Sequence, residues 1–393
     1  MRRSLHAIIA MLISVACIDA ALGLFSPVVI TQMTERGVGD ALIGLLSSLY
    51  YIGFLGGTWL CHGIIHRAGH VRALSLFVVV AANITLLHTM TQSNLLWLFF
   101  SFACGFSLAG ALVVVESWLN DKAGIASRGR FLGLYTAVSW AASGIAPLAL
   151  NIPDHSGTLL FTLAAMAMAS AVLPMSLTTA DNPKIEAKPR LALLQIYRLS
   201  PIGSFTCFMV GALGGALHGM LPVYTADQGW GNDRLSLLLS LGTVLAVVAQ
   251  LPIGHVSDRL RHRTGLIILS AAMAAAFCFG IFALKASGFL VFLGLYSLLL
   301  FIESPLYALG ASVANDSADQ AAGVATSSGL LFAWGLGASI GPLIVGQIMA
   351  LLGSDVLFPC IGAGSLLLAC FALWRHLHPD TPPVQAASSN LVA

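Results

Sequence analysis

Long apolar runs, each broken by a few polar or turn-forming residues, fill this chain from end to end. A helix needs about 20 apolar residues to cross roughly 30 Å of hydrocarbon. Windows of that size predict twelve spanning helices, numbered here spans 1 to 12: 6–32, 41–62, 73–91, 95–118, 131–150, 158–178, 201–225, 235–256, 265–284, 288–312, 322–350 and 355–374. Helix is the expected form, because lipid leaves an open strand edge without partners. Turn residues mark the breaks, as in Thr34-Glu35-Arg36-Gly37 and Gln228-Gly229-Trp230-Gly231-Asn232. The longest interruption, 180–200, contains Asp181-Asn182-Pro183-Lys184 and reads as a surface linker. It separates a six-helix half at 1–179 from a second at 201–374, and 375–393 reads as a disordered tail rich in Pro, Ser and Ala. The expected fold is therefore an all-α integral membrane protein of twelve helices in two halves.

The polar positions carry a repeat. His62-Gly63-Ile64-Ile65-His66-Arg67-Ala68-Gly69-His70-Val71-Arg72 follows span 2, and Gly254-His255-Val256-Ser257-Asp258-Arg259-Leu260-Arg261-His262-Arg263 follows span 8. The offset from His62 to Gly254, 254 − 62 = 192, is about half of the 393 residues. A second echo, Ser143-Gly144-Ile145-Ala146-Pro147-Leu148 against Ala338-Ser339-Ile340-Gly341-Pro342-Leu343, has nearly the same offset, 338 − 143 = 195. Duplicated halves of this kind are how many secondary transporters are built. The small residues and proline of the second echo fit tight, kinked helix packing.

Composition changes the picture in one respect: the solvent of most side chains is lipid. Hydrophobic residues make up 58% and charged residues 9%, with a mean hydropathy of +0.90. A soluble domain carries about 25% charged residues. A net charge of +2 gives no reason to expect a nucleic-acid partner. The seven cysteines lie in or beside apolar runs without a C-x-x-C pair, and read as small buried residues, not as metal or redox ligands. Met1-Arg2-Arg3 before an apolar stretch resembles a leader, but the stretch from Leu5 to Met33 exceeds a leader core of about 7–15 residues. It reads as an uncleaved first span. With the N-terminus inside, fifteen of the eighteen Lys and Arg fall on inner segments; Arg36, Arg234 and Lys285 are the other three. That asymmetry predicts cytoplasmic termini in a bacterial inner membrane.

Basic loops hold their side inside, but an acid does nothing for orientation, so Asp258 needs another reason. Gly254 lies one turn before the Asp258–Arg259 pair at a helix end. Glycine permits close helix approach, and an acid there can face a neighbouring helix N-terminus and pair with an arginine. Such a clasp would close one face of a transporter.

These loops resemble the signature between helices 2 and 3, echoed between 8 and 9, of the major facilitator superfamily. In the second copy Gly254, Asp258, Arg259 and Arg263 are in register, with Arg261 at the usual second glycine. The first copy departs, with His66 at the acidic position and His62 at the leading glycine. Val113-Val114-Val115-Glu116-Ser117 with Arg128-Gly129-Arg130 is similar to the helix 4–5 corner, and with Gln250-Leu251-Pro252-Ile253-Gly254 it looks most like the bacterial YcaD-type branch. The resemblance implies alternating access and a cavity lined mainly by spans 1, 4, 7 and 10. It makes Glu116, Arg128, Arg130, Gly254, Asp258, Arg259 and Arg67 candidate gate elements, with an asymmetric clasp because one copy alone keeps its acid. The helix-5 glycine-proline pattern of the family's antiporters is the alternative reading of the Ser143–Leu148 echo.

Ionisable groups inside a membrane are costly, so each is a functional candidate. Asp19 lies mid-way along span 1, with Gly23 and Ser26 on its side at helical spacing. Glu303 lies in span 10, between Tyr296 and Tyr307, and His218 lies in span 7. Ser101 stands in span 4, near where many members carry an arginine. These six are the candidate substrate and proton groups, and Trp140 and Trp334 are further stacking candidates. Two acids and a histidine without fixed positive charge suit a cationic, zwitterionic or neutral small solute over a polyanion, with protons as the coupling partner and no cofactor or metal. The competing readings are an uncoupled facilitator, a transport-dead sensor and a membrane-embedded enzyme. His62, His66 and His70 at i, i+4 and i+8 match no catalytic zinc motif.

Overall fold

A computed structural model of the chain describes residues 2–122, 128–154, 157–177, 197, 199–259, 263–284, 288–316 and 323–378. The predicted linker and tail, 180–196 and 379–393, lie outside the described residues, as do the side chains of Arg128, Arg130, Gly254 and Asp258.

Among the described residues, twelve helices are long and apolar enough to cross a membrane: Ile8–Glu35, Asp40–Ala68, His70–Met90, Asn94–Trp118, Gly133–Asn151, Leu159–Ser176, Pro201–Asp227, Asn232–Ser257, Thr264–Ala283, Phe289–Asp316, Thr326–Leu352 and Ser354–Leu377. They correspond one for one to the predicted spans and keep those numbers. Twelve crossings bring both chain ends to one end of the bundle, here the termini end; the opposite one is the far end.

Small departures have local causes. Span 2 continues past its apolar stretch to Ala68, and Gly69, at φ 79°, makes the turn into span 3. His70 therefore opens a new helix, and the three histidines of that loop do not share one helical face. Its ring is buried against Trp118 at 5.8 Å, with Nε2 3.3 Å from the Ser117 hydroxyl. Span 5 tightens into a 3-10 turn over Ala146–Asn151, with Pro147 near its start. Span 10 is interrupted: one helix ends at Glu303, the next begins at Leu306, and Pro305 stands between. A proline cannot donate to the carbonyl one turn back, which frees carbonyls at this point.

The halves meet through small residues. Span 2 packs on span 11 with Gly44 against the Pro342 carbonyl and Gly346, so close that a methyl group at Gly44 would collide with backbone. Gly219 of span 7 faces Ser47 of span 2, and the edge of Tyr51 meets Trp334 at 6.2 Å. On the other flank, Gly144 of span 5 faces Thr243 of span 8. Asn151 Nδ2 donates to Ser236 Oγ at 2.9 Å near the far end. Both members of the second sequence echo thus sit at close helix contacts between halves. In lipid such contacts rest on van der Waals packing, which small residues permit. The named cross-half contacts lie at the middle and far end of the bundle.

Candidate functional site

The parallel packing of spans 1 and 5 sets the site. Gly23 lies against the backbone of Ser143, where a Cβ would strike the Ser143 carbonyl. One turn back in both helices, Asp19 faces Ser139, whose hydroxyl is within hydrogen-bonding reach of the carboxylate. Asp19 is 7% exposed, and its Oδ2 has no hydrogen-bond partner among the described residues. A further turn back on span 5, the half-buried Tyr135 donates its hydroxyl to Glu116 Oε1 of span 4 at 2.9 Å. Glu116 is exposed. From the termini end inward the order is therefore Glu116, Tyr135, Ser139, Asp19.

Beyond Asp19, toward the far end, a narrow cleft opens between spans 1, 2, 4 and 7. Phe25 and Ser26, Ser47, Tyr50 and Tyr51, Ser101 and Gly219 are among its lining residues. Ser101 is 0% and Ser47 5% exposed, and neither hydroxyl has a partner among the described residues. The cleft thus combines aromatic walls with unsatisfied hydroxyls, beside a buried acid.

Glu303 occupies different surroundings. It is 5% exposed, with neither carboxyl oxygen partnered among the described residues, and its neighbours include Tyr296 and Cys278. It belongs to the buried stripe Phe292, Tyr296, Leu299 and Glu303. Tyr296 stacks on Phe292 at 5.7 Å and turns its edge to Phe358 of span 12. This part of span 10 thus faces the core of its own half and contributes nothing to the cleft that Asp19 adjoins. The described lining of this cleft comes from spans 1, 2, 4 and 7.

His218 is not buried with either acid: its ring is exposed, with Nδ1 2.8 Å from the Gly214 carbonyl. Tyr307 is half-buried, its carbonyl 3.9 Å from Cys207 Sγ.

The sequence model of the Major Facilitator Superfamily matches residues 11–231 and, in a second match, 203–392. The chain belongs to this superfamily. An uncharacterized MFS-type transporter of Yersinia pseudotuberculosis is 26% identical over 359 residues, 86% of this chain and 88% of that one. The YcaD protein of Salmonella arizonae is 25% identical over 361 residues, 88% of this chain and 90% of that one. In fold, the chain is similar to a mutant of the nucleoside transporter NupG, with a TM-score of 0.78 at 12% identity, covering 94% of this chain and 99% of that one. It is also similar to an inward-facing bacterial homologue of the lysosomal transporter Spinster, with a TM-score of 0.74 at 13% identity and 95% coverage of both. The protein is thus a multi-pass membrane protein of a transporter family, not an enzyme.

In this MFS protein the described gate candidates sit at the termini end. Arg67 and Arg259 are exposed there, as is His66. Residues that the sequence reading passed over include Tyr135, Ser139, Ser47, Tyr50 and Tyr51. The polar run Ser47-Ser48-Leu49-Tyr50-Tyr51 inside an apolar span was an available cue. His88 is another: it is 1% exposed in a cage of Phe25, Trp97, Phe100 and Phe161, with ring centroids 5.0–5.7 Å away.

Proposed function

We propose that this protein is a secondary active carrier that moves a small organic solute by alternating access and is coupled to protons through Asp19. The observation that carries the proposal is the mid-membrane position of Asp19, nearly buried, with one oxygen unpartnered. An uncompensated carboxylate in such a place is costly, and taking up a proton removes that cost. A group of this kind changes charge as its exposure changes, which is what coupling requires. The cross-half contacts at the far end support a carrier closed there and accessible from the termini end. The basic residues on the termini side support placing that end in the cytoplasm of a bacterial inner membrane.

The surroundings of the cleft support a positively charged substrate. Every Lys and Arg lies at a span end or outside the spans. At the far end Arg36 is held by the Gln92 carbonyl, Asn94 and the Trp97 ring, and Arg234 lies 5.0 Å over Phe289. Acids gather at the same end, with Glu35 near Asp154 and Asp40 near Asp227. Aromatic walls next to a carboxylate favour an organic cation over a polyanion.

The test is uptake of a panel of small amines and quaternary ammonium solutes into proteoliposomes under an imposed pH gradient. The expected result is gradient-driven accumulation that falls at least tenfold in Asp19→Asn, while gradient-independent exchange persists. Wild-type accumulation by Asp19→Asn would exclude Asp19 as the coupling group. Movement without any response to the gradient would make the protein a facilitator.

A further inference from the structure

We infer that the face of span 5 is a proton wire: Tyr135 and Ser139 connect the buried Asp19 to the exposed Glu116. The inference rests on the reading of Asp19 as the coupling acid and adds the route by which its proton reaches the termini side.

Three observations place the wire. First, the Gly23–Ser143 contact locks spans 1 and 5 in parallel register, so that Asp19 must face Ser139 one turn earlier. Second, Tyr135 lies one further turn along the same face, because residues four apart share a side of a helix. Its hydroxyl is committed to Glu116 Oε1 at 2.9 Å. Third, exposure rises in the same order, from Asp19 through the half-buried Ser139 and Tyr135 to the exposed Glu116. Hydroxyl groups both donate and accept, so each can take one proton as it gives up another. Tyr135 and Ser139 are both half-buried, and the inferred wire takes one water as the bridge across the turn between them.

The step balances within the wire. The O–H bond of neutral Asp19 breaks and its proton passes to the Ser139 side. Ser139 and the bridging water hand on one proton each, Tyr135 gives its hydroxyl proton to Glu116 and receives another, and Glu116 releases its proton to water. Each hydroxyl ends as it began, and no electrons move. Tyr50 of span 2 also neighbours Asp19, and Cys104 of span 4 in turn neighbours Tyr50. Both lie on the far-end side and offer no route to the termini end.

The wire is tested on the purified full-length carrier, without any substrate, by following carboxyl protonation in time-resolved infrared difference spectra after a pH jump. The carboxyl band absent from Asp19→Asn identifies Asp19. The expected result is that Tyr135→Phe slows the rise of that band at least tenfold while leaving its equilibrium titration in place. Ser139→Ala is expected to do the same, with unchanged thermal unfolding in both variants. A purely structural hydrogen bond would move the unfolding or the equilibrium, not the rate alone. Wild-type rates in both variants would overturn the wire and leave Asp19 as the coupling acid. If no band sensitive to Asp19→Asn titrates at all, the reading of Asp19 fails and the wire with it.

Discussion

At the scale of single residues, the site depends on where a glycine stands more than on the polar residues themselves. Gly23 lets spans 1 and 5 touch, and that contact puts Ser139 opposite Asp19. A larger side chain there must push the helices apart, at a cost of about 1–3 kcal/mol in a packed interior. Gly23→Leu is therefore expected to lower the thermal midpoint of the detergent-solubilised protein by several degrees and to abolish gradient-driven uptake. Gly214, with open space around it, serves as control: Gly214→Ala should leave both unchanged within error. Equal damage from the two substitutions would mean that the register of spans 1 and 5 is not what sets the site. Asp19 itself was legible in the sequence as an acid inside an apolar run. Its partners were not, because Ser139 and Tyr135 lie about 120 residues further on and nothing but packing brings them there. Glu303 was legible in the same way, yet its surroundings were not. Which way a helix turns its acid depends on neighbours such as Cys278 and Phe358, which apolar composition leaves unspecified.

At the scale of the helices, apolar length located all twelve spans, because lipid thickness fixes that length. The ends and interruptions were less legible. Span 2 outruns its apolar stretch because polar residues continue a helix beyond the hydrocarbon until a glycine at positive φ stops it. The apolar pattern predicts span 10 as continuous, although Pro305 marks its break. The pairing of spans 5 and 8 supplies a prediction at this scale. Asn151 to Ser236 is a hydrogen bond between halves, worth about 0.5–1.5 kcal/mol. In the proposed alternating access it is made while the far end is closed and must break when that end opens. Asn151→Ala is therefore expected to shift the equilibrium toward far-end opening by roughly three- to tenfold. In a Ser26→Cys background, labelling of the cleft by a membrane-impermeant maleimide added at the far side should speed up by that factor. An unchanged rate would show that the contact does not hold the far end shut.

At the scale of the whole molecule, duplication and charge act together. Each half carries its own basic loop at the termini end, at Arg67 and Arg72 in one and at Arg259 and Arg263 in the other, and the far end has few cations. Since basic residues resist translocation, two loops of one sign on one side pin the orientation twice. This redundancy gives a sharp expectation. A fluorescent protein fused after Ala393 should fold and fluoresce in cells, and an alkaline phosphatase at the same point should be inactive. Fused after Gln92, between spans 3 and 4, the two reporters should exchange behaviour. Neutralising the first loop alone, with Arg67→Gln and Arg72→Gln, should leave that pattern intact, because Arg259, Arg261 and Arg263 of the second loop still hold their side. Reversal by the first-loop substitutions would mean that orientation is set before the second half is made. An active phosphatase at Ala393 in the unmodified chain would invert the whole assignment: the contacts between halves would then close the cytoplasmic end, and the wire from Asp19 to Glu116 would lead outward.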